Sequence, residues 1–333
     1  MSRAWLVLLL VAGCGSIGDA GGGASNLPVS GAGPFRPLEP DESIPITPPF
    51  VLLDNLADLD EPSVVDWGDA LAMWVTAKRK TLSGTRIEHA DAYHLTDGFG
   101  PLIMAIEPDQ TWEGGALSSP SVLWEQPWIL FYGGGGAIGW ATAADGHTWV
   151  KAPGPALVAN NEEEGTALTS PAAVRVGDRL RVYYLASGAV WAADAPFADI
   201  AASRATTWTR LDGDPTTPGR DPILAPAGHQ LVSSTTTVPV VSIDHVSARA
   251  PITPAGRVRY DLYFTAATGT ASVSTCGFAS SFTGDRFAVS TTPLLPIMQT
   301  TRAPAETPYG AGAVLLYVQI DGARLAIAAA TSP

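Results

Sequence analysis

The sequence predicts an all-β protein built from repeated antiparallel units. Charged residues make up only 15% of the 333 residues, while glycine (34) and proline (28) are plentiful. This composition favours many short strands and turns over long helices. Pairs of β-like segments joined by polar turns recur along the chain, and each pair starts at a proline. The formal net charge of −13 argues against nucleic acid or an anionic membrane surface as a partner.

The first residues predict export and a lipid anchor. Met1–Arg3 is a short positive end, and Ala4–Ala12 is an apolar run too short to cross a bilayer. The run ends in Leu10–Cys14 (LVAGC), which resembles the bacterial lipobox. The resemblance implies a signal peptide of residues 1–13, cleavage before Cys14 and attachment of acyl chains to that cysteine. An ordinary secretory peptide with an incidental cysteine is the alternative.

Residues 14–42 are predicted as a flexible tether, because a segment rich in Gly, Ser, Ala and Pro cannot bury a core. We therefore expect the body, residues 43–333, to be held at the bacterial cell envelope. An outer-membrane or periplasmic location is favoured over the cytoplasm, with the lipid as the only membrane contact. Cys276 is the one cysteine left after lipidation, so we expect no internal disulfide and a buried thiol.

Three repeat units align without gaps when they are counted from Pro62, Pro120 and Pro171. Seven residues after each proline stands a turn residue: Asp69, Pro127 or Asp178. Nine residues after it stands an apolar residue: Leu71, Ile129 or Leu180. Twelve residues after it stands an aromatic residue: Trp74, Tyr132 or Tyr183. Each unit continues with a third strand, such as AIGWATA, and a fourth run such as GPLIMAI or DPILAPA. Spacings of about 50–65 residues are typical of four-stranded units with long loops.

Two further units are less regular. The fourth is predicted to start near Ser234, with residues 243–256 as an inserted loop, and the fifth near Thr307-Pro308. The fifth unit lacks a fourth strand, whereas TPPFVLL (47–53) looks like a fourth strand without a unit. Pairing the two would remove exposed sheet edges. The prediction is a five-bladed β-propeller of four-stranded antiparallel blades, the last closed by an N-terminal strand. A β-sandwich and a six-bladed ring are the alternatives.

A residue before proline stands on each predicted innermost strand, and the segment AIGWATAADGHTW (137–149) combines a strand, an Asp-Gly turn and a tryptophan. In these two features the chain resembles the five-bladed glycosidase propellers. These are the families of arabinanases, β-xylosidases, levansucrases and invertases. The resemblance implies a substrate pocket on the propeller axis. It also implies a base or nucleophile on the first blade in an Asp-Pro-like context, a second Asp on the next blade and a Glu acid on the third.

The first blade matches this pattern with Asp60 and Glu61, which stand just before Pro62. The second and third blades place Ser119 and Ser170 before their prolines, where the family pattern has acids. The remaining candidate acids are Glu164, in a run of three glutamates that also suits a solvated loop, and Glu306. Glycosidic hydrolysis generally uses two carboxylates, one protonated and one ionised, and one convincing acid is not a pair.

The sequence therefore favours a propeller that binds a carbohydrate or another envelope ligand without catalysis, and a glycoside hydrolase-like enzyme is the alternative. Trp67 and Trp124, near the first hairpin turns, are candidate surfaces for stacking a sugar ring. Ser119 and Ser170 are candidate ligand contacts at the axis. No metal site is predicted, since His89 and His94 point to opposite faces of a strand. No phosphate-binding or dinucleotide motif is present in the sequence, so no cofactor is expected.

Replacing the predicted lipidation site tests the anchor. We expect Cys14→Ala to move the protein from the membrane fraction to the soluble fraction, because no acyl chain can be attached to alanine. Cys276→Ala is the matched control and should stay with the membranes. Retention of Cys14→Ala on membranes to the same extent as the unchanged protein would remove the lipoprotein prediction.

Overall fold

The propeller predicted from the sequence is the observed fold. The computed structural model describes residues 35–37, 50–52, 57–68, 70–93, 95, 98–160, 162–204, 206–232, 237–268, 274–295, 301–309, 312–321 and 324–332. These residues form five small antiparallel sheets arranged in a ring. Cys14, the predicted signal peptide and most of the predicted tether lie outside the described residues.

The strands follow one another along the chain in short hairpins. In chain order they are β1 Arg36–Pro37, β2 Phe50–Leu52, β3 Ala57–Asp66, β4 Leu71–Arg79, β5 Arg86–Ala92, β6 Ile103–Ile106, β7 Leu117–Leu123, β8 Trp128–Gly134, β9 Ala137–Ala143, β10 Val150–Lys151, β11 Leu157–Val158, β12 Thr169–Val176, β13 Arg179–Ala186, β14 Ala189–Pro196, β15 Thr209–Arg210, β16 Gln230–Val232, β17 Thr237–Arg249, β18 Tyr260–Thr268, β19 Ser274–Ser281, β20 Ala288–Val289, β21 Thr301–Tyr309, β22 Gly312–Asp321 and β23 Arg324–Ser332. One α-helix, α1 Phe197–Ala201, and a 3-10 helix, Thr111–Glu113, also occur in the described part.

Blade 1 consists of β3–β6, blade 2 of β7–β11, blade 3 of β12–β15, blade 4 of β16–β20, and blade 5 of β21–β23 with β1 and β2. Blades 2, 4 and 5 thus carry a short fifth strand. The innermost strands β3, β7, β12, β17 and β21 each contact the next, and β21 contacts β3 in turn. The ring is therefore closed around a central axis.

An N-terminal strand completes the last blade, as the sequence predicts. Phe50 pairs with Ala328 and Leu52 with Ile327, so β2 runs antiparallel to β23. A second N-terminal strand, β1, pairs with β23 further along, and Phe35 before it is only 4% exposed. Residues 35–37 fall within the segment assigned to the tether, so contacts with the propeller begin before residue 43.

The residue before proline marks a β-bulge on four innermost strands. Glu61, Ser119, Ser170 and Ala303 have φ values of 51, 50, 47 and 52°, which L-residues adopt rarely. The hydrogen-bond ladder of each strand skips this residue and the proline that follows it. Proline lacks an N–H and therefore fits such an interruption of the ladder. The placement of the fifth unit near Thr307-Pro308 was wrong by four residues, because its bulge lies at Ala303-Pro304.

The predicted start and loop of blade 4 differ from the structure because its innermost strand has a bulge without a proline. Its innermost strand β17 skips Asp244 without a following proline, so the sequence signal that marks the other blades is missing. Residues 243–249 belong to this strand, and the inserted loop predicted for residues 243–256 is wrong over that stretch. In blade 3 the fourth strand is β15 rather than the DPILAPA run, of which Leu224 makes only an isolated bridge to Val190.

Five apolar clusters fill the five interfaces between neighbouring blades. Trp74 and Trp128 lie between blades 1 and 2, and Trp140 and Trp191 between blades 2 and 3. Cys276 is fully buried between blades 4 and 5, as expected. Each sheet thus buries both faces against its neighbours, which is where the core of a ring of sheets must lie. None of the described residues forms a helix long and apolar enough to span a membrane.

Candidate functional site

Hydrogen bonds across the blade interfaces surround the axis at the level of the bulges. The Ser119 N–H donates to Glu61 Oε2 at 2.8 Å and to Thr76 Oγ1 at 2.9 Å. The Thr76 hydroxyl itself donates to Glu61 Oε2 at 2.8 Å. One carboxylate oxygen of Glu61 therefore links blade 1 to the bulge of blade 2.

The other four interfaces carry equivalent links. The donor in each belongs to one blade and the acceptor to its neighbour: Ala173 N–H to Ser121 Oγ at 2.9 Å, Val246 N–H to Ser170 Oγ at 2.9 Å, Ala303 N–H to Thr265 Oγ1 at 2.7 Å, and the Arg302 guanidinium to Asp60 Oδ2 at 2.5 Å. We call this set, together with the Glu61 link, the axial ring. It joins all five blades by polar contacts.

Asp60 is an acid near the axis whose pKa lies well above its ordinary value. Burial disfavours its charged form and the neighbouring Glu61 adds negative charge, so the pKa of Asp60 is raised to about 6. The Arg302 guanidinium and the Glu61 N–H oppose this increase. The side chain of Asp60 remains 27% exposed, so solvent reaches it. An acid of this kind changes its protonation state near neutral pH.

A cavity of about 430 Å³ opens on the axis beyond the bulges. All five innermost strands line it, each with residues that follow its bulge: Pro62–Asp66, Pro120–Glu125, Pro171 and Ala173–Arg175, His245–Pro251, and Ala305–Thr307. The lining of blade 1 starts one residue after Glu61. Asp60 and Glu61 therefore lie next to this cavity along β3 but do not line it.

Two ion pairs lie in the cavity wall. Arg249 pairs with Glu306, whose side chain is 4% exposed, and burial raises the pKa of Glu306 while the Arg249 guanidinium opposes the increase. Arg175 pairs with Glu125 at 2.6 Å nearer the solvent. Trp124 stands beside Glu125 and exposes 49% of its surface, so the cavity mouth combines an indole face with charged hydrogen-bonding groups.

The structure separates the other predicted site residues from the cavity. Ser119 and Ser170 are each 1% exposed, and their polar atoms serve the axial ring. Trp67 is half-buried against Trp128, with ring centroids 6.1 Å apart. Glu164 is fully buried and accepts hydrogen bonds from the Tyr184 hydroxyl and from Arg210 of the outer strand β15.

Residues that the sequence analysis did not select complete the axis. His245 shares a hydrogen bond with Ser170 Oγ at 3.0 Å, and burial lowers the pKa of this histidine to about 4. Arg302 and Arg249 bind the two acids Asp60 and Glu306. Because His245 and Arg249 lie on the strand that was predicted as a loop, no spacing argument pointed to them.

One group among the described residues has the composition of a metal site. His89, Asp91 and His147 place one potential ligand atom each within 4.8 Å of one another. None of the three lines the cavity. Spacing within one strand relates His89 to His94, which lies outside the described residues, and it cannot bring together side chains from two blades.

Comparisons with known proteins identify the fold. No family model and no curated protein sequence matches the chain. Solved structures do match. One comes from the GH130 family of mannoside phosphorylases, which contains glycoside hydrolases that target β-1,2-mannosidic linkages in Candida mannan. It has a TM-score of 0.62 and 15% identity, over 92% of this chain and 98% of that chain.

Two further structures give the same result. An α-L-arabinofuranosidase from Podospora anserina in complex with cellotriose has a TM-score of 0.60 and 12% identity, over 86% of this chain and 95% of that chain. A glycosyl hydrolase from Bacteroides ovatus has a TM-score of 0.57 and 14% identity, over 89% and 93%. The chain therefore has a propeller fold similar to that of glycoside hydrolases, and identities this low show the fold alone.

The two ion pairs in the cavity wall differ in burial and give a matched test. Arg249→Met leaves the Glu306 carboxylate buried without its partner, so we expect a loss of about 3–5 kcal/mol in the free energy of unfolding at pH 8. Arg175→Met breaks the more exposed pair and should cost less than about 1 kcal/mol.

The loss should depend on pH. Without Arg249 the pKa of Glu306 rises further, and a group whose pKa is higher in the folded state favours folding at low pH and loses that contribution as pH rises. Urea unfolding at pH 8 and pH 5 should therefore show a smaller loss at pH 5. Equal losses for the two variants, or a larger loss at pH 5, would contradict the assignment of Glu306 as a buried, paired acid.

Proposed function

We propose that this protein binds a carbohydrate in the axial cavity and does not cleave it. The observation that carries the proposal is that hydrogen bonds and ion pairs within the protein already occupy the three acids near the axis. Glu61 binds Thr76 and Ser119, Asp60 binds Arg302, and Glu306 binds Arg249. A hydrolase needs two carboxylates that reach the scissile bond from the protein side.

The cavity suits a sugar ligand in size and chemistry. A volume of about 430 Å³ is within the range of small-molecule sites in proteins. Trp124 offers an exposed indole face to the CH face of a pyranose ring, while Glu125 and Arg175 offer hydrogen-bond acceptors and donors for hydroxyl groups. The fold likeness to glycoside hydrolases supports a saccharide as the class of ligand.

We further propose that the protein acts at the bacterial envelope, which the resemblance of the segment ending at Cys14 to a lipobox supports. The tether would hold the propeller away from the lipid surface, so that the cavity is open to soluble or cell-wall saccharides. The partners of the protein would then be the carbohydrate and, through the lipid anchor only, the membrane.

Removal of the exposed indole tests the binding proposal. We expect the purified protein to bind at least one ligand on a glycan array and Trp124→Ala to weaken that binding about tenfold or more, measured by calorimetry. Tyr93→Ala is the matched control, because Tyr93 is 80% exposed and does not line the cavity. Unchanged affinity in Trp124→Ala, or no glycan bound by the unchanged protein, would refute the proposal.

A second candidate function is glycoside hydrolysis, and the raised pKa of Asp60 beside Glu61 favours it. Near pH 6 part of the Asp60 population is protonated and can act as an acid beside a second carboxyl group, and hydrolysis needs such a proton donor. The activity of such an enzyme would decline above about pH 6, since the acid form of Asp60 is lost as pH rises.

A panel of arabinans, xylans and fructans distinguishes the two functions. If the second function holds, the unchanged protein should release sugar with a rate that declines above about pH 6, and both Glu61→Gln and Asp60→Asn should abolish the release. Thermal melts of both variants control for loss of folding. Absence of sugar release by the unchanged protein, or release by Glu61→Gln at the unchanged rate, rules out this use of Glu61.

A further inference from the structure

Three side chains with metal-binding chemistry meet at the interface of blades 1 and 2. His89 and Asp91 lie two residues apart on β5, which directs their side chains to the same face of the strand. His147 comes from the turn between β9 and β10 of blade 2. The three potential ligand atoms lie within 4.8 Å of one another, and the two imidazole ring centroids are 4.8 Å apart.

The turn that carries His147 is held firmly. Asp145 Oδ1 accepts hydrogen bonds from the N–H groups of His147 at 2.9 Å and Thr148 at 2.7 Å. Gly146 has a φ of +75° and packs so closely that an added Cβ would lie 3.1 Å from the Trp128 ring. The turn is therefore pressed against the apolar cluster between the blades, with the exposed His147 side chain beside His89.

The carboxylate of Asp91 has unused binding capacity. Its Oδ2 lies 3.2 Å from His89 Nε2, whereas its Oδ1 is buried and has no hydrogen-bond partner among the described residues. A buried carboxylate oxygen without a partner is costly, and such an atom in a native protein calls for an explanation. A cation shared with the two imidazoles would supply the missing partner.

We propose that His89, Asp91 and His147 bind a transition-metal ion of the zinc type that cross-links blades 1 and 2. Two imidazoles and one carboxylate suit Zn²⁺, Cu²⁺, Ni²⁺ or Co²⁺, whereas Ca²⁺ and Mg²⁺ prefer oxygen ligands alone. Ligand atoms around a tetrahedral zinc ion lie about 3.3 Å apart, given bonds of about 2.0–2.1 Å. The exposed imidazole of His147 provides the small movement needed to reach that spacing.

Three protein ligands leave the fourth position of a tetrahedral ion to water. The site does not line the axial cavity, so it acts on the blade interface rather than on the proposed saccharide. Because the metal would bind only the folded protein, where the two blades meet, it stabilises the closed ring. The proposal does not depend on the proposed carbohydrate function.

The nearby tryptophans provide a direct readout. The ring of Trp74 lies 5.8 Å from that of His89 and 6.2 Å from that of Trp149. Cu²⁺ bound at the site should therefore quench tryptophan fluorescence, with saturation at one ion per chain. Calorimetry of the chelator-treated full-length protein with Zn²⁺ should show the same stoichiometry, and Zn²⁺ should raise the Tm.

Three variants separate the site from adventitious binding. His147→Ala removes an exposed side chain without altering the hydrogen bonds of its turn, and Asp91→Asn keeps the shape of the third ligand. We expect each to weaken Zn²⁺ binding by at least about tenfold and to abolish the increase in Tm. The control His229→Ala changes a histidine outside the group and should bind Zn²⁺ like the unchanged protein. Absence of Zn²⁺ binding by the unchanged protein, or unaltered binding by His147→Ala, would overturn the proposal.

Discussion

The interaction on which the structure depends is the axial ring of hydrogen bonds between blades. A bulge interrupts each innermost strand, and at Ser119 and Ala303 the amide of the bulge residue donates across the blade interface instead of to the sheet ladder. A buried N–H without an acceptor costs about 1–3 kcal/mol, and the acceptor here is supplied by the neighbouring blade. Blades 2 and 5 therefore depend on their neighbours for these two hydrogen bonds, whereas the Glu61 amide of blade 1 donates to Asp60 of its own strand. The ring closes through Arg302 and Asp60, and the two N-terminal strands on β23 close the outer edge of the same blade.

This constraint determines what the axis can do chemically. Glu61 stands where glycosidase propellers are expected to have a catalytic carboxylate, yet one of its oxygens already receives two hydrogen bonds from Thr76 and Ser119. Serine and alanine take the corresponding positions in blades 2, 3 and 5, and serve the same bulge without charge. The open volume lies beyond the ring, where Trp124 and two ion pairs of unequal burial form the wall. The proposed binding cavity and the structural hydrogen bonds thus occupy successive levels along the same strands.

Much of the fold could be predicted because its signals are local. A proline interrupts the ladder at a fixed distance from a turn, and a hairpin follows, so the first hairpins of blades 1–3 were found from spacing. The closing strand was found from the missing fourth strand of the fifth unit and the unassigned run at residues 47–53. Blade 4 forms its bulge at Asp244 without a proline, and its innermost strand was mistaken for a loop for that reason. The partners of charged groups were not predictable. Arg302 meets Asp60 across 242 residues of sequence, and His147 reaches His89 only because two blades pack together. Trp67 and Trp124 both lie near Trp128, with ring centroids 6.1 and 6.2 Å from it, and no spacing in the sequence reveals that Trp124 is the more exposed of the two.

The most direct test of the axial ring as the link between blades is amide hydrogen exchange at Ser119, the bulge residue whose N–H donates to Glu61. The account predicts slow exchange in the unchanged protein, a loss of protection at Ser119 in the double variant Glu61→Ala/Thr76→Val, which removes both acceptors of this amide, and unchanged protection at Ala173, which is held by Ser121 across the next interface. Exchange at Ser119 as fast as in exposed turns such as residues 81–84, or equal loss of protection at both amides, would contradict it.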